Sequence, residues 1–142
     1  MGKFIKETIR LWGLNFYDRT CTKDYYVPEL DFTIPKGMHV TLAGGKMHRD
    51  KQNFEDPLEF DPEKHFENNS LYQANFLGFG QGPRHCIGMR LAYVIIRTGL
   101  LHLLAKYKVV KGDKTKQNWY FSPIVPGGIG HNEIFVRLEP RQ

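Results

Sequence analysis

The residues best able to do chemistry lie in a glycine-rich stretch, residues 79–88, that contains a single cysteine, Cys86. The next predicted helix begins directly after it, so the thiol lies among unpaired amide groups at the positive end of a helix dipole, which favour the thiolate. Arg84, two residues earlier, adds positive charge. Gly82 and Gly88 allow tight turns, so a flat cofactor can approach the sulfur and backbone N–H groups can donate to it. The alternative for a lone cysteine at a helix start is a buried structural residue.

A second candidate pair, Glu7 and Arg10, lies near the beginning of the chain. Apolar residues at 4, 5, 8, 9, 11 and 12 predict a buried helix that Gly13 ends. At a spacing of i, i+3 the carboxylate and the guanidinium share one face of that helix and can form an ion pair. Such pairs also occur on solvated helices without any function. Zinc is not indicated, because no Cys-x-x-Cys or His-x-x-x-His spacing occurs in the sequence.

Composition places limits on the remaining functions. The chain has 142 residues and a net charge of +5, with 20 Lys and Arg interleaved with 15 acidic residues and no basic run of five or more. This pattern argues against nucleic acid as a partner and favours an acidic protein or an anionic membrane surface. The stretch 91–105 is shorter than the roughly 20 apolar residues that span a bilayer. Two cysteines 65 residues apart do not indicate a disulfide framework.

The pattern along the chain predicts mainly helices with small β-sheets in one domain. Residues 30–42 are expected to form a hairpin around the turn Ile34-Pro35-Lys36-Gly37. Residues 50–82 are expected to be irregular but ordered, held by their phenylalanines. The helix from Gly88 to about Tyr107 is expected to be a core helix, with Leu91, Ala92, Val94, Ile95, Leu101, Leu104 and Ala105 on the buried sides. A second hairpin is expected after the glycines near residue 128.

Taken together, these motifs resemble those of one known family. The cysteine stretch reads F-x-x-G-x-R-x-C-x-G, and Glu7 and Arg10 supply E-x-x-R at a fitting distance before it. Both resemble signatures of the cytochrome P450 family, and the resemblance, which covers essentially the whole chain, is greatest to the animal, particularly arthropod, microsomal branch. It implies that residues 1–142 are the C-terminal fragment of a single cytochrome P450 domain. The apolar helix at the N-terminus likewise suggests a chain cut from a longer protein.

The resemblance also implies roles for individual residues. The cofactor would be haem b, with Cys86 as the axial ligand of the iron, Arg84 and Arg19 on the haem propionates and Phe79 beside the sulfur. The remaining assignments are Gly82 and Gly88 as cofactor-binding residues, Glu7 and Arg10 as structural residues, and Leu14, Asn15, Phe16, Tyr17 and Ile124 as lining of the substrate pocket.

The sequence departs from the family pattern at three places. The family expects P-E-R-F, whereas this chain reads Pro62-Glu63-Lys64-His65-Phe66, so the arginine that should join Glu7 and Arg10 is missing or displaced by an insertion. Either Lys64 or His65 could take its place, although lysine lacks bidentate geometry. Gly13 and Leu14 together, and Gly78, occur where the family prefers proline, which is expected to loosen the fold.

The implied function is insertion of one oxygen atom from O₂ into an apolar small molecule, by a haem-thiolate monooxygenase. Electrons would come from the flavoprotein NADPH-cytochrome P450 reductase. The implied location is the endoplasmic reticulum membrane, on its cytosolic face. Two alternatives are a haem-thiolate isomerase or dehydratase, which needs no reductase, and a non-catalytic truncated relative. The fragment alone is expected to be inactive, since the oxygen-activating helix of the family is not in this sequence.

Overall fold

A computed structural model of the chain describes residues 1–13, 16–66, 70–115 and 135–141. Its helices and strands are α1 (Gly2–Trp12), β1 (Tyr17–Thr20), β2 (Tyr25–Val27), β3 (Phe32–Ile34), β4 (His39–Leu42), α2 (Gly44–Met47), α3 (Pro62–Phe66), α4 (Ser70–Asn75), α5 (Met89–Lys106), β5 (Tyr107–Val110) and β6 (Arg137–Pro140). Short 3-10 turns occur at Pro28–Leu30 and Gly82–Arg84. Helices with small antiparallel sheets agree with the predicted fold class, of which this chain forms a part.

The strands pair differently from the prediction. The turn at residues 35–38 is present, with Gly37 at a φ of +87° and the Met38 amide donating to the Pro35 carbonyl. The strands on either side of it do not form a hairpin, however. β3 pairs with β2, and β4 pairs with β1, both antiparallel. The predicted hairpin over residues 30–42 is therefore wrong, because each strand bonds to an earlier part of the chain.

Helix α1 agrees with the prediction and forms part of the core. Its buried face carries Ile5, Glu7, Arg10 and Leu11, and it packs against α3. It ends at Gly13, whose amide donates to the Ile9 carbonyl. The core thus contains an acid and a base on the same helix face, and both require buried partners.

The described residues of the segment 50–82 are arranged around aromatic side chains, as predicted, with two short helices, α3 and α4. Phe54 is fully buried, and its ring stacks on Tyr72 at a centroid distance of 5.2 Å. Phe66 is also buried and meets Phe76 edge to face. These contacts hold the segment between α1 and the cysteine loop.

Helix α5 has nearly the predicted bounds but not the predicted burial. None of its residues is buried in this chain, and Leu91, Val94, Ile95 and Leu101 are each more than half exposed. The core position expected for this helix is therefore wrong for the chain as it stands. The C-terminal strand β6 pairs with β5, which follows α5 directly, while the predicted turn near residue 128 lies outside the described residues. Among described helices, none is long and apolar enough to span a bilayer.

Candidate functional site

The cysteine stretch forms a compact loop that leads into α5. The Cys86 amide donates to the Phe79 carbonyl at 2.8 Å, which closes the loop on itself. Gly80 and Gly82 have φ values of +73° and +75°, in the left-handed region where a side chain is strained. The Cys86 side chain is a free thiol in an exposed residue, so the loop presents the sulfur to its surroundings. In this chain Cys86 is therefore an exposed cysteine and not a buried one.

One cavity brings the thiol together with several predicted residues. It has a volume of about 550 Å³ and lies between the end of α1, the cysteine loop and the first turns of α5. Its lining consists of Ile9, Gly13, Tyr17, Gly78, Phe79, Arg84, Cys86, Ala92 and Ile96. Apart from the thiol, the Tyr17 hydroxyl and the Arg84 guanidinium, the side chains in this wall are apolar. A flat apolar group with an anionic edge matches such a wall.

Only two of the five predicted substrate-pocket residues, Phe16 and Tyr17, lie among the described residues. Tyr17 lies in the cavity wall, and its hydroxyl accepts a hydrogen bond from the Gly80 amide at 3.0 Å. Burial raises the pKa of this phenol, and the neighbouring Cys86 acts in the same direction. Phe16 is exposed. Leu14, Asn15 and Ile124 lie outside the described residues.

The two predicted propionate ligands, Arg84 and Arg19, differ in position. Arg84 is exposed and lines the same cavity as Cys86. Arg19 lies on β1, is also exposed, and donates to the Asp18 carbonyl at 2.7 Å. Among the described residues that line the cavity, Arg84 is present and Arg19 is not. The structure therefore groups the thiol with one of the two arginines, and the role of Arg19 stays a prediction.

Glycine accounts for the close packing of the loop. A Cβ added at Gly78 would lie 2.3 Å from the Phe76 ring and 2.6 Å from Ile9, so a larger residue cannot fit without movement. Glycine at this position, where the family prefers proline, therefore allows Phe76 and Ile9 to pack closely against the backbone. A Cβ added at Gly88 would lie 3.9 Å from the Cys86 sulfur, so glycine keeps the space beside the sulfur open.

Glu7 and Arg10 form a fully buried pair. The Arg10 Nε and Nη2 atoms donate to the two oxygens of Glu7 at 2.7 and 2.8 Å, and neither residue is exposed. Burial by itself would raise the pKa of Glu7, but hydrogen bonds from Arg10 and His65 outweigh it, and the pKa lies below its ordinary value. The carboxylate is therefore charged at neutral pH.

The rest of the Arg10 guanidinium holds the chain after α2. Its Nη1 atom donates to the carbonyls of His48 and Pro57 at 2.7 and 2.6 Å, and its Nη2 atom donates to the Glu59 carbonyl at 2.9 Å. One side chain on α1 thus fixes three separate points of the irregular segment. A guanidinium suits this position because it carries five donors in one plane.

His65, not Lys64, takes the place of the missing family arginine. Its ring is fully buried, with Nδ1 2.9 Å from Glu7 Oε1 and Nε2 2.8 Å from the Glu55 carbonyl oxygen. Both ring nitrogens face acceptors, so both bonds form when the ring carries two protons. Lys64 turns outward to Asp56, at 2.5 Å. The altered motif therefore preserves a buried triad of Glu7, Arg10 and a basic third residue.

Sequence reasoning did not identify the role of His48. It is fully buried, between the end of α1 and the segment that enters the cysteine loop. The sequence signal was the string His48-Arg49-Asp50, which follows the family's order but carries no indication of burial. Arg49 lies beside it, half-buried, and its guanidinium donates to the carbonyls of Leu11 and Gly45.

Comparisons with known proteins agree with the site. A family model described as Cytochrome P450 matches residues 1–126. The chain is 37% identical over 127 residues to probable cytochrome P450 6d5 of Drosophila melanogaster, covering 86% of this chain and 25% of that protein. It is 38% identical over 108 residues to cytochrome P450 6k1 of Blattella germanica, covering 74% and 21%.

The chain therefore belongs to the cytochrome P450 family, and the resemblance predicted from its motifs, to the arthropod members in particular, is confirmed. It spans about a quarter of the length of these relatives. Haem is the cofactor that the family implies, and the residues present fit it. A free thiol, a guanidinium and apolar walls share one cavity, which is the donor set for an iron, a propionate and a porphyrin face.

Proposed function

We propose that this chain forms the thiolate-bearing side of the haem site of a monooxygenase that inserts one oxygen atom from O₂ into an apolar small molecule. The observation that carries the proposal is the exposed Cys86 thiol in a cavity shared with Arg84 and Phe79, in a member of the cytochrome P450 family. Haem b, when bound, supplies the iron at which O₂ is reductively activated.

The protein residues hold the cofactor and set its electronic properties. Cys86 would hold the iron as its thiolate ligand, and the electron density of the sulfur would tune the iron for oxygen chemistry. Arg84 binds a propionate through its planar guanidinium. Phe79 and Ile96 lie in the same cavity wall as the sulfur, and with the cofactor bound they would shield the sulfur from water. The altered motif at residues 62–66 does not favour a non-catalytic relative, because His65 completes the buried triad.

The partners and location are part of the same proposal. Electrons come from the flavoprotein NADPH-cytochrome P450 reductase, and the protein acts at the cytosolic face of the endoplasmic reticulum membrane. The resemblance to the microsomal branch supports both statements. A net charge of +5 is also compatible with an acidic protein partner or an anionic membrane surface.

The test is the spectrum of the reduced CO complex of the full-length protein that contains this chain. A thiolate opposite CO shifts the Soret band strongly to the red, and Cys86→His should abolish this shift. Cys21→Ser is the matched control, because Cys21 is the other free cysteine and its Sγ bonds to the Lys23 carbonyl in the β1–β2 turn. Retention of the shifted band in Cys86→Ser would show that the thiolate assignment is wrong.

A further inference from the structure

His48 contacts both halves of the candidate site, although it lies outside the cavity. The Leu77 amide donates to His48 Nε2 at 2.8 Å. His48 Nδ1 lies 3.3 Å from the carbonyl oxygen of Arg10 at the end of α1. Leu77 precedes Phe79 by two residues and leads directly into the cysteine loop. One side chain therefore spans from the buried triad to the loop that carries the thiol.

The hydrogen bonds determine the form of the imidazole. A backbone amide can only donate, so Nε2 must be the unprotonated nitrogen. Nδ1 then carries the proton and donates to the Arg10 carbonyl near the end of α1, 3.3 Å away. In return, Arg10 Nη1 donates to the His48 carbonyl at 2.7 Å. Two hydrogen bonds in opposite directions thus join α1 to His48, and the bond from the Leu77 amide joins the neutral ring to the entry of the loop.

The surroundings favour this neutral form. Burial lowers the pKa of His48 to about 4, and the charges of Arg10 and Arg49 act in the same direction, against the opposing charge of Glu7. The ring stacks on Phe76 at 5.5 Å between centroids and 10° between planes, and meets Phe54 edge to face. The orientation of the two nitrogens is therefore held by packing on both sides.

Two backbone hydrogen bonds connect Leu77, the residue bonded to His48, to Cys86 within the loop. The Leu77 carbonyl accepts from the Gly80 amide at 2.9 Å, and the Phe79 carbonyl accepts from the Cys86 amide at 2.8 Å. The position of Leu77 thus sets the first turn of the loop, and that turn sets where the sulfur lies. A shift of Leu77 would be passed to Cys86 through two short backbone bonds.

We propose that His48 is a positioning residue for the haem thiolate, which fixes the entry of the cysteine loop to the E-x-x-R helix by accepting from Leu77 and donating to Arg10. The inference rests on the proposed haem-thiolate function. It assigns to His48 a role beyond packing, because the acceptor at Nε2, not the bulk of the ring, holds the loop.

The test separates the acceptor from the ring, in the full-length haem-loaded protein. His48→Phe keeps a ring for stacking on Phe76 but removes the acceptor. His48→Gln places an amide oxygen near the position of Nε2 and should retain the bond to Leu77. His39→Phe is the control, because His39 is an exposed histidine on β4. The readouts are the rate of haem transfer to apomyoglobin and the fraction of the reduced CO complex that keeps the red-shifted band.

His48→Phe should release haem about tenfold faster, the factor that corresponds to losing one buried hydrogen bond, and should convert more readily to the unshifted form. His48→Gln and His39→Phe should both stay close to the wild type. Wild-type behaviour of His48→Phe, or equal loss in His48→Gln, would overturn the inference. A wild type with no shifted band at all would instead refute the proposed function.

A second measurement needs no variant to fold. Nitrogen-15 labelling of the histidines in the wild-type protein distinguishes the two neutral tautomers and the charged ring by chemical shift. At neutral pH His48 should give the signature of a ring protonated at Nδ1 alone. A ring protonated at Nε2 cannot accept from Leu77, so that result would refute the inference independently of any effect on haem.

Discussion

Replacement of His65 by alanine tests whether this residue completes the buried triad. The change removes the ring nitrogens Nδ1 and Nε2, which lie 2.9 Å from Glu7 Oε1 and 2.8 Å from the Glu55 carbonyl oxygen respectively. It also leaves a cavity beside the rings of Phe54 and Tyr72, which lie 5.8 and 5.5 Å from the imidazole. All of these losses occur where no solvent reaches, since His65 and Glu7 are both fully buried.

The expected loss can be estimated from these contacts. Leaving a buried donor or acceptor without its partner costs about 1–3 kcal/mol per group, and the cavity left by the removed ring adds to this loss. Arg10 and the Asp61 amide still bind the carboxylate, so Glu7 keeps most of its donors. We therefore expect His65→Ala to lower the free energy of unfolding by about 3 kcal/mol, as for one or two unpartnered buried groups and a cavity.

The assay is urea denaturation of the full-length protein, followed by circular dichroism and by haem release. Lys64→Ala is the matched control, because Lys64 is the adjacent basic residue and pairs with Asp56 at the surface. It should leave the unfolding midpoint unchanged within error. His65→Gln retains a side-chain donor, so its unfolding midpoint should lie between those of the wild type and His65→Ala. A larger loss in Lys64→Ala than in His65→Ala would show that the lysine, not the histidine, replaces the family arginine.

Three further outcomes are expected. Arg84→Ala should release haem about tenfold faster than the wild type, as expected for the loss of a charge-assisted hydrogen bond. Arg90→Ala, which changes an exposed arginine on α5, should release haem at the wild-type rate. Equal haem loss in both variants would contradict the propionate role of Arg84. The pKa of His48 is lowered from 6.5 to about 4, which corresponds to roughly 3 kcal/mol of stability. This contribution is complete above the unfolded-state pKa of 6.5 and is lost as the pH falls from 6.5 to about 4. His48→Gln should flatten that part of the stability profile, and an unchanged slope would refute the assignment. The 142-residue chain alone should bind haem weakly and aggregate, because Leu91, Val94 and Ile95 are exposed; a soluble monomer with stoichiometric haem would contradict this.

Local pattern was sufficient to predict several elements. The apolar spacing over residues 4–12 and the glycine after it predicted α1, and the apolar run after Gly88 predicted α5 to within about one residue at each end. These features depend on helical periodicity and on end signals, which act over a few residues. The cysteine loop was also visible in the sequence, because its glycines, arginine and cysteine lie within ten positions.

Other features depend on parts of the chain far apart in sequence. The strands beside the turn at residues 35–38 do not pair with each other, because β1 and β2 supply the partners. The sequence did not show whether His65 or Lys64 contacts Glu7, since both residues are basic. The choice depends on the orientation of α3, which places His65 against Glu7 and Lys64 against Asp56. Burial of α5 was predicted from its apolar residues, yet burial requires a covering surface, and the described residues do not bury any residue of this helix. The hydrophobic pattern shows which side chains are stabilised by burial, but only the tertiary structure determines which of them pack against other residues.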